Sequence, residues 1–142
     1  MPYQDPFPNL TQVNHRVVSP ATTEYNCIAW AAERQDRWWW PDLMGTAFWP
    51  PGVPREETLT AFEMAYGTLG FVACADDGLE AGFRKVAVYA KTGTPTHAAR
   101  QLSDGRWTSK LGEWEDIEHA TLQALEGGVY GTVALIMRRA GP

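Results

Sequence analysis

The amino-acid sequence predicts an α+β fold, with helices early in the chain and a mostly antiparallel sheet after them. Two early stretches have helical features, whereas short strand-like runs separated by turn residues follow Gly70. At 142 residues, with 44% hydrophobic and 20% charged residues, the chain has the size and composition of one globular domain. The expected architecture is a single domain with N-terminal helices packed on a five-stranded sheet.

An extended arm is expected over residues 1–24, because prolines interrupt this stretch and it has no helical or strand periodicity. The folded domain is expected over residues 25–142. Asn26 is a favoured N-cap residue, so the first helix is predicted from Cys27 to about Asp36. A second amphipathic helix is predicted from Glu56 to Gly67, where apolar residues recur at helical spacing.

The second half of the chain is expected to form the sheet. Five strands are predicted, at Phe71–Ala75, Lys85–Lys91, His97–Leu102, Arg106–Lys110 and Tyr130–Arg138. Ser103-Asp-Gly joins the third and fourth of these strands and is typical of a hairpin, so the two strands should pair antiparallel. One further helix is predicted from Glu113 to Leu125.

The composition argues against two classes of partner. The formal net charge is −5 and no run of Lys or Arg occurs, so we expect no binding to nucleic acid or to an anionic membrane. Apolar stretches are far shorter than the roughly 20 residues of a membrane-spanning helix, and the first residues lack the features of a secretory signal. We expect a soluble protein made in the cytoplasm, with export that needs no such signal left open.

Cys27 has the chemistry of a nucleophile. The only other cysteine is Cys74, and no Cys/His spacing is typical of zinc, so we expect no disulfide framework, metal or other cofactor. A thiol in the first turn of a helix and near a histidine has its pKa lowered toward the reactive thiolate. His97 is the candidate base, because it opens a predicted strand that the start of a packed helix can reach.

The residues around this cysteine and histidine resemble the papain-like cysteine hydrolases. The stretches that carry the resemblance are Asn26-Cys-Ile-Ala-Trp30 and His97-Ala-Ala-Arg-Gln-Leu-Ser-Asp-Gly-Arg-Trp-Thr-Ser109. The order of predicted elements is most similar to the compact bacterial branch of cell-wall endopeptidases and amidases. Trp107-Thr-Ser-Lys-Leu-Gly112 is also similar to a string in short bacterial proteins of uncharacterised function.

The resemblance implies a papain-like fold and a catalytic group of Cys27, His97 and Ser109. In that family the cysteine is the nucleophile, the histidine is its base, and a polar residue on the next strand orients the imidazole. Ser109 stands where the family usually has His, Asn, Asp or Gln. No glutamine precedes the cysteine at the family's oxyanion position, and Asn26 or Tyr25 is the candidate substitute. The implied partner is a peptide, protein or cell-wall substrate, with a cognate binding protein as a further candidate.

Consecutive tryptophans suggest where such a substrate would bind. Trp38, Trp39 and Trp40 cannot all face one side of a regular element, and a proline-rich loop follows them. The segment from Trp38 to Pro54 is expected to form a wall of the substrate groove beside Cys27; the alternative is that its aromatic residues cover the core. The candidate substrate-binding residues are Asn26, Trp39, Trp40 and Trp49.

Structural roles are the alternatives to chemical ones. Cys27 could be a small core residue, and His97 a surface histidine at a strand edge. His119 is expected to be a solvent-facing helix residue, Cys74 a structural residue and Asp104 a turn residue. The predicted function is a cysteine-dependent hydrolase acting on an amide, isopeptide or glutamine side-chain bond. A non-catalytic peptide- or glycan-binding module and a thiol-dependent acyl transferase are the alternatives.

Overall fold

The structure is a computed structural model that describes residues 7–111 and 115–141, and a seven-stranded antiparallel sheet lies at its centre. The strands are β1 (His15–Ser19), β2 (Val72–Cys74), β3 (Phe83–Lys91), β4 (Thr94–Gln101), β5 (Trp107–Lys110), β6 (Asp116–His119) and β7 (Thr132–Ala140). Their order across the sheet is β1-β6-β5-β4-β3-β7-β2, and each neighbouring pair is antiparallel. Two short helices, α1 (Cys27–Ala31) and α2 (Leu59–Gly67), and a 3₁₀ helix (Leu122–Leu125) complete the regular structure of the described residues.

The α+β class predicted from the sequence is wrong, because the described residues form a β-rich fold. The sheet has seven strands rather than five, and the two α-helices contain only five and nine residues. The papain-like arrangement of N-terminal helices on a five-stranded sheet is therefore not the observed architecture. The additional strands are β1 and β6, which lie side by side at one end of the sheet.

The first helix ends early because its C-terminus is capped without a glycine. Glu33 adopts a left-handed conformation with φ of 62°, and its N–H donates to the Trp30 carbonyl at 3.0 Å. The N–H of Arg34 donates to the Ala29 carbonyl at 2.8 Å, which completes a Schellman motif. An ion pair of 2.5 Å with Arg84 holds the Glu33 side chain. Glycine is the usual residue at this position, so the sequence offered no stop signal before Asp36.

The helix predicted from Glu113 to Leu125 is wrong over its described part. Residues 113 and 114 lie outside the described residues, and Asp116–His119 form β6 between β1 and β5. Asp116 and His119 are both fully buried although both are polar. Hydrophobic periodicity cannot detect a strand whose inward residues are polar, and only Leu122–Leu125 is helical, as a single 3₁₀ turn.

The segment expected as an extended arm contributes to the sheet and to the core. Its strand β1 pairs with β6, with His15 opposite His119. Before that strand, Phe7 and Leu10 are buried. Residues 1–6 lie outside the described part of the chain. A strand of five residues with three exposed side chains has little hydrophobic alternation, which explains why no strand was predicted there.

The hairpin of β4 and β5 is confirmed. Arg100 pairs with Thr108 and Gln101 with Trp107, in an antiparallel register. The turn closes through the N–H of Leu102, which donates to the Arg106 carbonyl at 2.7 Å, and Gly105 adopts φ of 90°. The same register extended along the strands places Ser109 opposite Ala99.

Hydrophobic residues are buried on both faces of the sheet. The helix-side core contains α1, the buried face of α2, and Val86, Val88 and Ala98 from the sheet. The arm-side core contains Phe7, Leu10, Ala87, Tyr89, Trp107, Ile117, the 3₁₀ helix and Tyr130. Alternate residues of β3 enter different cores because side chains alternate between the faces of a strand.

Candidate functional site

Cys27 is the first residue of α1 and lies at the base of a cavity of about 400 Å³. Its side chain is buried, with 8% of the residue surface exposed. The nearby backbone N–H groups of Ala98, Ile28 and Cys27 itself lower the pKa of the thiol, as does Lys110. Burial outweighs these contributions and raises the pKa of the thiol to about 11. Cys27 therefore carries its proton at neutral pH.

The cavity walls come from four parts of the chain. Asn26 and Cys27 come from the start of α1, Thr96 from β4, and Tyr130 from the segment before β7, while the remaining wall belongs to the loop that follows α1. The loop residues that line the cavity are Trp38, Trp40, Asp42, Thr46 and Ala47. Five residues of the segment from Trp38 to Pro54 thus line the same cavity as Cys27, and the role of this segment as a wall of a substrate groove stays a prediction.

Hydrogen bonds to Asn26 hold this loop against α1. The Asn26 Oδ1 atom accepts from the N–H of Ala29 at 3.2 Å, capping the helix, and from the N–H of Trp39 at 3.1 Å. Its Nδ2 donates to the Trp39 carbonyl at 2.8 Å. Because Trp39 faces the core, its neighbours Trp38 and Trp40 are directed to the cavity.

Asp42 is the only charged side chain among the residues that line the cavity. One carboxylate oxygen accepts from the backbone and hydroxyl of Thr46, and the other accepts from the N–H of Ala47 and from Arg55. These hydrogen bonds, above all those from Thr46, hold the Asp42 pKa well below its usual value. The carboxylate is thus occupied with fixing the loop, and the cavity offers a largely apolar, aromatic surface to a ligand.

His97 is the fourth residue of β4 and is completely buried. Its ring stacks on Tyr130, with centroids 4.0 Å apart and planes within 10°. Tyr89 contacts the ring edge-on at 5.2 Å. Burial lowers the pKa of the imidazole well below its usual value, and His119 nearby lowers it further. The ring is therefore neutral at physiological pH, and its Nδ1 atom has no hydrogen-bond partner among the described residues.

Cys27 belongs to the helix-side core, whereas the His97 ring contacts Tyr89 and Tyr130 of the arm-side core. The backbone N–H of Ala98, the residue that follows His97, lies close enough to the sulfur to lower the pKa of the thiol. Tyr130 borders the cavity beside the sulfur and stacks on the imidazole. No hydrogen bond joins the thiol to the ring within the described residues, since Nδ1 has no partner and Nε2 contacts Ser109. The predicted separation of sulfur and ring nitrogen of about 4 Å stays a prediction.

Ser109 contacts His97 as predicted, and it also contacts a residue that the sequence did not suggest. The Ser109 hydroxyl lies 2.9 Å from the His97 Nε2 atom and 2.8 Å from the His119 Nε2 atom. His119 is not a solvent-facing helix residue; it is fully buried in β6. Burial lowers the pKa of His119 to about 4, although the Thr121 carbonyl, 2.8 Å from its Nδ1 atom, raises it.

The remaining predicted residues divide between the cavity and the core. Asn26 and Trp40 line the cavity. Trp39 and Trp49 are each only 4% exposed and belong to the helix-side core. The hydroxyl of Tyr25 donates to the carboxylate of the buried Asp116, so it is not available to bind an oxyanion at the cavity.

Sequence reasoning missed Tyr130, Thr96, Thr46 and His119 as residues of this site. Tyr130 stands between glycines and strand β7, and nothing in its local pattern indicates that it would stack on an imidazole. His119 would have been found only from the register of β5 and β6, in which it lies opposite Trp107. The intervening residues 112–114 lie outside the described part of the chain.

Two broader features of the described residues bear on the class of site. No group of three or more His, Cys, Asp or Glu side chains among them is placed to hold a metal ion. None of the helices found in residues 7–111 and 115–141 has the length and apolar character needed to cross a membrane.

The fold and the site together define an antiparallel β-sheet protein with a buried thiol at an aromatic cavity and two buried histidines joined through Ser109. Residues 16–138 match the model of a domain of unknown function, DUF7689, and the chain belongs to this family. No curated protein and no solved structure matches the chain.

Proposed function

We propose that this protein is a cysteine-dependent hydrolase in which Cys27 attacks the carbonyl carbon of an amide, isopeptide or glutamine side-chain bond. The single observation that carries the proposal is the placement of the thiol. Cys27 lines an aromatic cavity together with Tyr130, and Tyr130 stacks on a buried imidazole whose Nδ1 atom has no hydrogen-bond partner among the described residues. Buried polar groups in proteins are nearly always paired, so this unpaired ring nitrogen needs a functional explanation.

The proposed reaction begins from a neutral pair, because the pKa of the thiol is raised and that of the imidazole is lowered. As the sulfur forms a bond to the carbonyl carbon, the thiol proton moves to the His97 Nδ1 atom. The imidazolium then gives this proton to the leaving nitrogen as the C–N bond breaks, which leaves a thioester on Cys27. Water, deprotonated by the same nitrogen, hydrolyses the thioester and restores the thiol.

Contact between the thiol and the ring would form when substrate enters the cavity. Hydrogen bonds between catalytic groups are often long in substrate-free structures and shorten in the reacting complex. The cavity of about 400 Å³ would hold the acyl side of the substrate against Trp40, Trp38 and Tyr130. Because the one carboxylate of the cavity is held by its own loop, we propose that the group next to the scissile carbonyl is uncharged and apolar or aromatic.

Acylation by an activated ester, such as a p-nitrophenyl ester, tests the proposal. The intact mass of the wild-type protein should increase by one acyl group, and peptide mapping should locate it on Cys27. The Cys27→Ala variant should take up no acyl group, whereas the matched variant Cys74→Ala should react like wild type. The His97→Gln variant should acylate at least about 100-fold more slowly, the usual contribution of a general base. Equal acylation of wild type and Cys27→Ala would overturn the proposal.

A non-catalytic binding module is the second candidate, and the raised thiol pKa of about 11 favours it. In that case an apolar fluorescent probe would occupy the cavity, Trp40→Ala would weaken its binding, and no ester would acylate Cys27. If acylation does occur, adding an amine separates hydrolysis from transfer. A hydrolase releases the free acid at an unchanged yield, whereas a transferase gives mainly the amide.

A further inference from the structure

A continuous series of side-chain contacts connects three neighbouring strands of the sheet. It begins at the His97 ring on β4, continues through the Ser109 hydroxyl on β5 at 2.9 Å, and reaches the His119 ring on β6 at 2.8 Å. From there it ends on the backbone carbonyl of Thr121, 2.8 Å from the His119 Nδ1 atom. All three side chains in this series of contacts are fully buried.

The Thr121 carbonyl at the end of this series determines the direction of every hydrogen bond in it. A carbonyl oxygen only accepts, so the His119 Nδ1 atom must carry a hydrogen. A neutral imidazole has one N–H group, so the Nε2 atom of His119 is an acceptor and the Ser109 hydroxyl donates to it. The hydroxyl has no second hydrogen, so its oxygen accepts from the His97 Nε2 atom. His97 thus has its hydrogen on Nε2 and a bare lone pair on Nδ1.

Reversing the donors and acceptors of the hydrogen bonds between His97, Ser109 and His119 would require a doubly protonated, positively charged His119. Burial without a carboxylate partner disfavours a buried cation strongly. The groups that face His119 do not reverse this preference, because Arg106 and His15 are both basic and lower its pKa further. Trp107, its register partner on β5, carries no charge.

We infer that His119, acting through Ser109, holds His97 in the tautomer that leaves its Nδ1 atom free to accept a proton. Ser109 alone could not do this, since a lone hydroxyl rotates and can donate to or accept from either tautomer. The acceptor supplied by His119 removes that freedom. The combination of serine and histidine thereby takes the role of a single fixed carboxamide or carboxylate. His119 is a positioning residue and touches no substrate.

The tautomer assignment does not depend on catalysis, whereas its consequence for acylation rests on the proposed function. Nitrogen NMR of the full chain labelled with ¹⁵N-histidine, at about pH 7, tests the assignment directly. A protonated imidazole nitrogen and a bare one differ widely in chemical shift. We expect His97 to be protonated at Nε2 and bare at Nδ1, and His119 to be protonated at Nδ1 and bare at Nε2. A wild-type spectrum with His97 protonated at Nδ1 would overturn the inference.

Variants separate a positioning role from a merely structural one. His119→Gln can supply an amide oxygen near the former Nε2 atom, so it should keep the His97 tautomer. His119→Leu cannot accept, so the His97 resonances should shift toward the tautomer protonated at Nδ1, and Ser109→Ala should have the same effect. If His119→Leu does not fold, Ser109→Ala and the wild-type spectrum remain decisive. Unchanged His97 resonances in folded Ser109→Ala would contradict the inference.

The acylation assay then connects the tautomer to the reaction. His119→Leu and Ser109→Ala should acylate at least about 10-fold more slowly than wild type, the usual effect of removing a group that orients a reacting imidazole or ligand. His119→Gln should retain most of the rate. If the wild-type protein shows the expected tautomers and takes up no acyl group, the positioning of His97 stands and the proposed hydrolase fails.

Discussion

Two buried neutral histidines, His97 and His119, make the stability of the folded protein sensitive to pH. Burial lowers the pKa of His97 well below its usual value and that of His119 to about 4, whereas an unfolded chain has histidine near its ordinary value of 6.5. When the pH falls below that ordinary value, the unfolded state takes up protons that the folded state does not. Stability is therefore complete above about pH 6.5 and is lost as the pH falls toward the folded-state values.

We predict that the free energy of unfolding falls by about 2 kcal/mol for each of these histidines between about pH 7 and pH 5. Urea unfolding at several pH values, followed by tryptophan fluorescence, measures this loss. His119→Gln removes one of the two groups, so about half of the pH dependence should disappear in that variant. A wild-type stability that is constant over this range would show that the pKa values of these histidines are not lowered in the folded state.

At the scale of elements, one asparagine connects the start of α1 to the cavity loop. Asn26 caps the helix and also makes two hydrogen bonds to the backbone of Trp39. The hydroxyl of Tyr66 on α2 donates to the Ile28 carbonyl at 3.0 Å and holds the other side of the helix. A five-residue helix has little stability of its own, so these tertiary contacts position Cys27.

We predict that Asn26→Ala lowers the free energy of unfolding by about 3 kcal/mol, the sum of a lost cap and two lost buried hydrogen bonds. The matched control is Thr58→Ala, which removes the α2 cap, a single hydrogen bond of 3.1 Å to the N–H of Ala61. That variant should lose about 1 kcal/mol. Chemical denaturation of both variants measures the difference. Equal losses would mean that the bonds to Trp39 contribute nothing.

At the scale of the whole molecule, the N-terminal segment closes the arm-side core. Leu10 is fully buried and Phe7 is 2% exposed, and the Phe7 ring packs 5.0 Å from that of Tyr130. Tyr130 in turn stacks on His97. The segment that the sequence suggested as an arm therefore supports the face of the sheet that carries the buried imidazoles.

We predict that Leu10→Ala destabilises the whole domain by about 3 kcal/mol, the usual cost of deleting a large buried side chain. Val13→Ala is the matched control, because Val13 lies nearby and is 93% exposed. Its stability should stay within about 0.5 kcal/mol of wild type. Thermal or urea unfolding measures both. If both variants were as stable as wild type, the N-terminal segment would be an independent arm after all.

Local signals were sufficient for part of this molecule. Asn26 as a cap before Cys27 and the Asp-Gly turn between β4 and β5 could both be predicted, whereas the contact of Ser109 with His97 was implied by the resemblance. Each of these depends on residues close in sequence or on the register of one hairpin. Turn and cap chemistry act through the backbone of a few residues, so one sequence is enough to predict them.

The fold class and the full extent of the site were decided only by tertiary structure. Strand β6 contains two fully buried polar residues, Asp116 and His119, and its hydrophobic pattern is therefore misleading. Polar residues become favourable in a core only when distant partners satisfy them: Tyr25 and Ser19 for Asp116, and Ser109 for His119. The sequence by itself pointed to Cys27 and His97 as the candidate nucleophile and base, and their chemical roles stay a prediction. Which of their neighbours complete the site depends on pairings across the sheet that no local pattern encodes.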